Sequence, residues 1–82
     1  MYSTYVLYST KFNKIYIGFS GNLQFRLETH NDPDHKGWSA QYRPWQVLYS
    51  EDFGTKAEAM SREKQLKSSR GRAFIWEKIS AL

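Results

Sequence analysis

"YIGFSGNLQFRLETH", Tyr16 to His30, decides how this chain is read. Its first half holds a tyrosine, an isoleucine and two glycines. From about Leu23 the spacing turns helical, with Leu23 and Leu27 four residues apart. Arg26 and His30 fall on the same stripe, because positions i, i+3, i+4 and i+7 share one face of a helix. A guanidinium and an imidazole therefore stand beside the leucines that should pack. The segment is expected to run from a strand through a sharp turn at Gly18 and Gly21 into a helix. Ser20 or Asn22 would cap that helix, and it would end near His30.

Upstream, "STYVLYST" is rich in β-branched and aromatic residues and predicts a strand over Ser3 to Ser9. "KFNK" reads as a turn and "KIYIGF" as a second strand, so the pair forms an antiparallel hairpin. Downstream, "NDPDHKGWS" is a cluster of turn formers. "RPWQVLYSEDF" predicts a third strand around Trp45 to Ser50, after a proline. "TKAE" is a capping box, with Thr55 as N-cap and Glu58 three residues on. It opens the helix "KAEAMSREKQLKS"; "SSRG" interrupts, and "RAFIWEKISAL" supplies a last helix with Phe74, Ile75 and Ile79 available to pack. The order β-β-α-β-α-α predicts an α+β fold, a three-stranded antiparallel sheet flanked by helices, and 82 residues allow a single domain over 1–82.

Composition narrows the function. There is no cysteine, hence no disulfide framework and no thiolate nucleophile or thiolate metal site. No apolar run approaches a membrane span, and Met1 leads directly into an alternating segment, so a cytoplasmic protein without membrane contact is expected. The formal charge of +4 is unevenly placed. Acidic and basic residues cancel over 1–55, and the surplus falls in 56–82, much of it in "REKQLKSSRGR", 62 to 72. Lys67, Arg70 and Arg72 in this run are the expected contacts to a nucleic-acid phosphate backbone or another polyanion. A solvated helix face would read the same way.

Two helices break their own packing logic. Beside Arg26 and His30 on the first stands Glu63 on the second, in a stripe with Ala59, Met60, Leu66 and Lys67. Burying Met60 and Leu66 would turn Glu63 inward, where a carboxylate needs a cation, a metal or several donors. One outcome is an internal Arg26–Glu63 ion pair that only locks the helices. The other is a site: Tyr5 and Tyr16 lie on neighbouring strands, and the hairpin can bring them to one face. Two phenols that position a water or relay its proton, a guanidinium that grips a phosphate, the imidazole of His30 and one carboxylate for a hydrated Mg²⁺ would make a set for phosphodiester hydrolysis.

The chain resembles the GIY-YIG endonuclease domain, and within it the small stand-alone bacterial branch. The resemblance rests on "TYVLYS", on "YIGFSGNLQFRLETHN" with its Tyr-Ile-Gly intact at 16–18, on "RPWQVLYSEDF" and on "TKAEAMSREKQLK", four segments in order over nearly the whole chain. It implies a Mg²⁺- or Mn²⁺-dependent endonuclease acting on DNA, branched, damaged or single-stranded, as in DNA repair. Tyr5 and Tyr16 would be the motif tyrosines, one of which deprotonates or orients the attacking water. Arg26 would stabilise the pentavalent phosphate, His30 would assist the water or the phosphate, and Glu63 would be the single metal ligand. Some motif positions differ: Ser3 and Thr4 stand where the first motif has Gly-Ile, and Phe19 where some members have lysine. The alternative is a module of the same fold that binds nucleic acid without cutting it.

Overall fold

β1 (Tyr2–Ser9) runs between β2 (Lys14–Ser20) and β3 (Gln46–Phe53), antiparallel to both, in a computed structural model that describes residues 1–82. The helices are α1 (Leu23–Asn31), α2 (Lys56–Lys67) and α3 (Ser69–Ser80), and a 3₁₀ turn, Trp38–Tyr42, follows α1. The expected α+β order is present.

As the central strand, β1 is buried from Thr4 through Ser9, and its two-residue alternation feeds two separate cores. Val6 meets Ile17, Leu66 and Ile75 on one side. Tyr5 and Leu7 meet Trp45 on the other, with Leu23, Leu27 and Tyr42 packed around them. Val6, Leu7, Leu66 and Ile75 are all at most 1% exposed, and each such side chain contributes about 1.5–3 kcal/mol by leaving water. The register shifts between Val6 and Leu7, so Leu48 is an extra residue on β3 and joins Tyr49 against the first core.

The connections follow local chemistry. Asn13 closes the hairpin turn at φ 54°, a left-handed conformation that asparagine tolerates, and its side chain accepts a 2.8 Å bond from the Tyr8 hydroxyl. Asn22 caps α1, its side-chain oxygen accepting from the Phe25 amide at 3.0 Å, and Ser20 in turn accepts from the Asn22 amide at 2.9 Å. The Thr55 hydroxyl oxygen accepts from the Glu58 amide at the start of α2.

Three expectations shift. The third strand begins at Gln46 because Trp45 is a plug rather than a strand residue. Asn31 exchanges two hydrogen bonds with its backbone, at 2.6 and 2.9 Å, and its indole N–H donates to the Ser39 carbonyl at 2.8 Å. The break at "SSRG" contracts to one residue, Ser68, which ends α2 and caps α3 by accepting from the Gly71 amide. Gly71 makes this sharp corner available, since a Cβ there would clash with the Gln65 carbonyl oxygen. Finally, Met60 is 45% exposed, and α2 buries Ala59 and Leu66 instead. The small Ala59 lets the helix approach β1 so closely that the buried Thr4 hydroxyl donates to its carbonyl at 2.8 Å.

Candidate active site

The pleat explains the Tyr-Ile-Gly triplet residue by residue. Ile17 points into the core beneath α2 and α3, while Tyr16 and Gly18 share the opposite face. The register sets Tyr5 across from Gly18 and Leu7 across from Tyr16. Because Gly18 has no side chain, the Tyr5 phenol occupies the space above it; a Cβ there would stand 2.8 Å from the Tyr5 hydroxyl and 3.2 Å from the Tyr16 ring. The two phenol rings lie nearly parallel, 6.4 Å between centroids with 21° between planes.

A cavity of about 400 Å³ opens at this point along β2, which is an edge strand. Tyr5, Tyr16 and Gly18 form its floor, α1 contributes Arg26, and α2 contributes Lys56 and Glu63. Glu63 is the one carboxylate among the lining residues. Two phenols, two cations and one acid, spread from position 5 to position 63, thus share one opening to solvent.

Burial first, then the neighbouring Tyr16 and Glu63, drive the Tyr5 hydroxyl up from its ordinary value of 10 to about 12, against the opposing pull of Arg26. At neutral pH it is a hydrogen-bond donor. His30 is buried and does not line the cavity; its ring lies 4.3 Å from that of Tyr16, and its Nδ1 is 2.8 Å from the Ser39 hydroxyl. Burial, His35 and Arg26 all lower its pKa from 6.5, so the imidazole supports Tyr16 from behind as a neutral group.

The Arg26–Glu63 ion pair is not formed. Glu63 instead has Lys67 at 3.7 Å, one turn along its own helix, and Arg26 is solvent-exposed at the cavity wall rather than buried. The helix stripe that includes Arg26 is shallower than its leucines imply, since Leu23 and Leu27 are themselves only half-buried. The basic run also divides. Lys67 and Arg72 line a second groove that also borders Tyr16, whereas Arg70 faces a separate recess with Arg62.

Lys56 escapes a reading of the sequence as an ordinary residue of a capped helix. One signal exists: it is the first residue of α2, where a cation opposes the helix dipole by about 0.3–1 kcal/mol.

The sequence matches the GIY-YIG catalytic domain over residues 1–77. It is 38% identical over 69 residues to a UPF0213 protein of Bacillus velezensis, covering 80% of this chain and 70% of the relative. The UPF0213 protein YazA of Bacillus subtilis is 35% identical over 71 residues, covering 83% and 72%. A UPF0213 protein of Bacillus licheniformis is 36% identical over 77 residues, covering 90% and 78%. No solved structure matches. No helix is long and apolar enough to cross a membrane. Four matching segments in order, a sheet that turns Tyr16 and Gly18 to one side and Ile17 to the other, and a match over nearly the full length lead to one assignment: the chain belongs to the GIY-YIG nuclease family.

Proposed function

We propose that this protein is an endonuclease that hydrolyses phosphodiester bonds in DNA with the help of a divalent cation, Mg²⁺ or Mn²⁺. The observation that carries this reading is the meeting of Tyr5, Tyr16, Arg26, Lys56 and Glu63 around one open cavity. A hard dication that keeps much of its hydration shell needs few protein ligands, and a single carboxylate in a wet cavity meets that requirement. Glu63 would hold it, and when bound it supplies positive charge for the oxygen that leaves.

The remaining chemistry falls to the chain's own groups. Arg26 and Lys56 draw a phosphodiester into the cavity and oppose the negative charge that builds on its oxygens during attack. A planar guanidinium suits two of those oxygens at once; the ammonium acts as a point charge. Tyr5, held protonated, donates a hydrogen bond that fixes water or phosphate. Tyr16 orients the attacking water and relays its proton to solvent at the mouth. His30, neutral and packed on Tyr16, fixes the angle of that ring. Water adds to phosphorus as the bond to the 3′ oxygen breaks, and that oxygen takes up a proton from solvent at the open cavity to leave as a hydroxyl.

The test is a nicking assay on plasmid, flap and junction DNA with Mg²⁺ or Mn²⁺, comparing wild type with Glu63→Ala. Metal-dependent cutting that the substitution abolishes is expected. A wild type inert on every substrate, or a Glu63→Ala variant that cuts equally well, overturns the proposal.

A further inference from the structure

A second groove, of about 450 Å³, follows β2 and shares Tyr16 with the cavity; the hydrolytic scheme uses none of its other lining residues. Its walls combine two kinds of group. Lys14, Lys67 and Arg72 supply three cations, and no carboxylate lines it. Trp38 and Trp76 supply indole rings, with Trp38 49% exposed although its ring lies 4.8 Å from Tyr42 and 6.1 Å from Trp45. Leaving half an indole in water is unfavourable for folding, and the aromatic cluster beneath it holds the ring in place.

Arg72 is prepared for an anion. Its Nε donates to the Lys67 carbonyl at 3.2 Å, and its terminal N–H groups make no other hydrogen bond to the protein. Lys67 connects the two sites: it lines the groove, and its Nζ is 3.7 Å from the Glu63 carboxylate in the cavity. Tyr16 lines both. A polyanion lying in the groove therefore passes directly into the candidate active site.

We infer that the groove binds an unpaired DNA strand next to the phosphodiester to be cut, with bases stacked on Trp38 and Trp76 and phosphates on Lys14, Lys67 and Arg72. The inference deepens the endonuclease reading and rests on it for the direction of the strand. The chemistry excludes an intact duplex as the preferred occupant. Paired bases are stacked on each other and present only their edges, so indole faces are of use only to bases that are already free. A duplex would engage the cations alone.

The experiment measures binding without cleavage: fluorescence anisotropy in EDTA of a labelled single-stranded oligonucleotide and of the blunt duplex of the same sequence. The variants are Trp38→Leu, Arg72→Gln and, as a charge control, Lys78→Gln, whose ammonium lies over the Tyr49 and Phe74 rings instead. Circular dichroism establishes that each folds. Wild type is expected to bind the single strand at least about tenfold more tightly than the duplex. Trp38→Leu should lose roughly five- to hundredfold for the single strand and little for the duplex. Arg72→Gln should weaken binding and reduce the salt slope by about one unit. Equal affinity for both forms, an unaffected Trp38→Leu, or a Lys78→Gln variant as damaging as Arg72→Gln overturns the inference. The two readings fail separately. Strand-selective binding with no cleavage under any metal leaves the groove and removes the nuclease, whereas cleavage with no strand preference does the reverse.

Discussion

The Tyr5 hydroxyl occupies the space that a side chain at position 18 would fill, 2.8 Å from where a Cβ would be. Tyr5 comes from the central strand and Gly18 from its neighbour, directly across the ladder. The glycine thus acts through what it lacks, allowing a buried phenol to reach a cavity at the sheet edge. Gly18→Ala should cost about 1–3 kcal/mol through overpacking, seen as a lower midpoint in urea denaturation. Cleavage should fall further than stability requires, by tenfold or more, because the phenol is displaced from its working position. Gly54→Ala is the control, since a Cβ there meets nothing within 4 Å. Equal activity in the two variants would show that Tyr5 placement is irrelevant to the reaction.

Glu63 separates a clamp from a working carboxylate. Its partner is Lys67 at 3.7 Å, in an i,i+4 pair whose lysine side chain is 48% exposed. Such pairs contribute at most about 1 kcal/mol. Glu63→Ala should therefore melt within a few degrees of wild type. A carboxylate buried against a guanidinium would instead cost about 3 kcal/mol or more on truncation. Calorimetric titration with Mn²⁺ should show binding to wild type and none to the variant. A variant that melts far below wild type restores the clamp.

Tyr5 makes a different commitment. With its hydroxyl pushed up to about 12, it carries its proton throughout the range in which a nuclease is assayed. Tyr5→Phe should lower kcat by about tenfold or more, the order expected for loss of one hydrogen bond to a developing charge. Between pH 7 and 9 the shape of the rate profile should be the same in variant and wild type. A rising limb that disappears with the hydroxyl would identify Tyr5 as a base and contradict this role.

What the sequence discloses and conceals divides along physical lines. The hairpin, a cap at Ser20 or Asn22, the Thr55 cap and the first strand were legible because each is set by local rules, a period of two or a side chain bonding a nearby amide. Which of the two residues caps α1, and that β1 is central, came from the structure. The phase of α2 was not. Its apolar residues are few, so Met60 competes with Ala59 for the inward position, and only the close approach to Thr4 decides for the smaller one. Trp45 reads as a strand residue until Asn31, fourteen positions away, takes both of its backbone hydrogen bonds. At the site, the residues that meet were readable from motif order. The depth of each was not, so His30 lies behind Tyr16 and Lys56 entered unannounced.

His30 supplies a pH dependence whose sign can be worked out. Burial is the main reason its folded pKa falls below 6.5, with His35 and Arg26 adding to the effect. Below pH 6.5 the unfolded chain takes up a proton that the folded chain resists, so stability falls with pH from about 6.5 down to the lowered folded value. Above 6.5 the residue is neutral in both states and contributes no slope. Wild type should therefore lose thermal stability between pH 7 and pH 5.5, and His30→Gln, which does not titrate, should lose less over the same interval. The Gln variant will be less stable at pH 7, because it gives up the packing against Tyr16, but its melting curve should be flatter in pH. If the two proteins lose stability in parallel, the imidazole is not being held neutral. Its place behind Tyr16 would then need a different explanation, with a charged ring against the phenol.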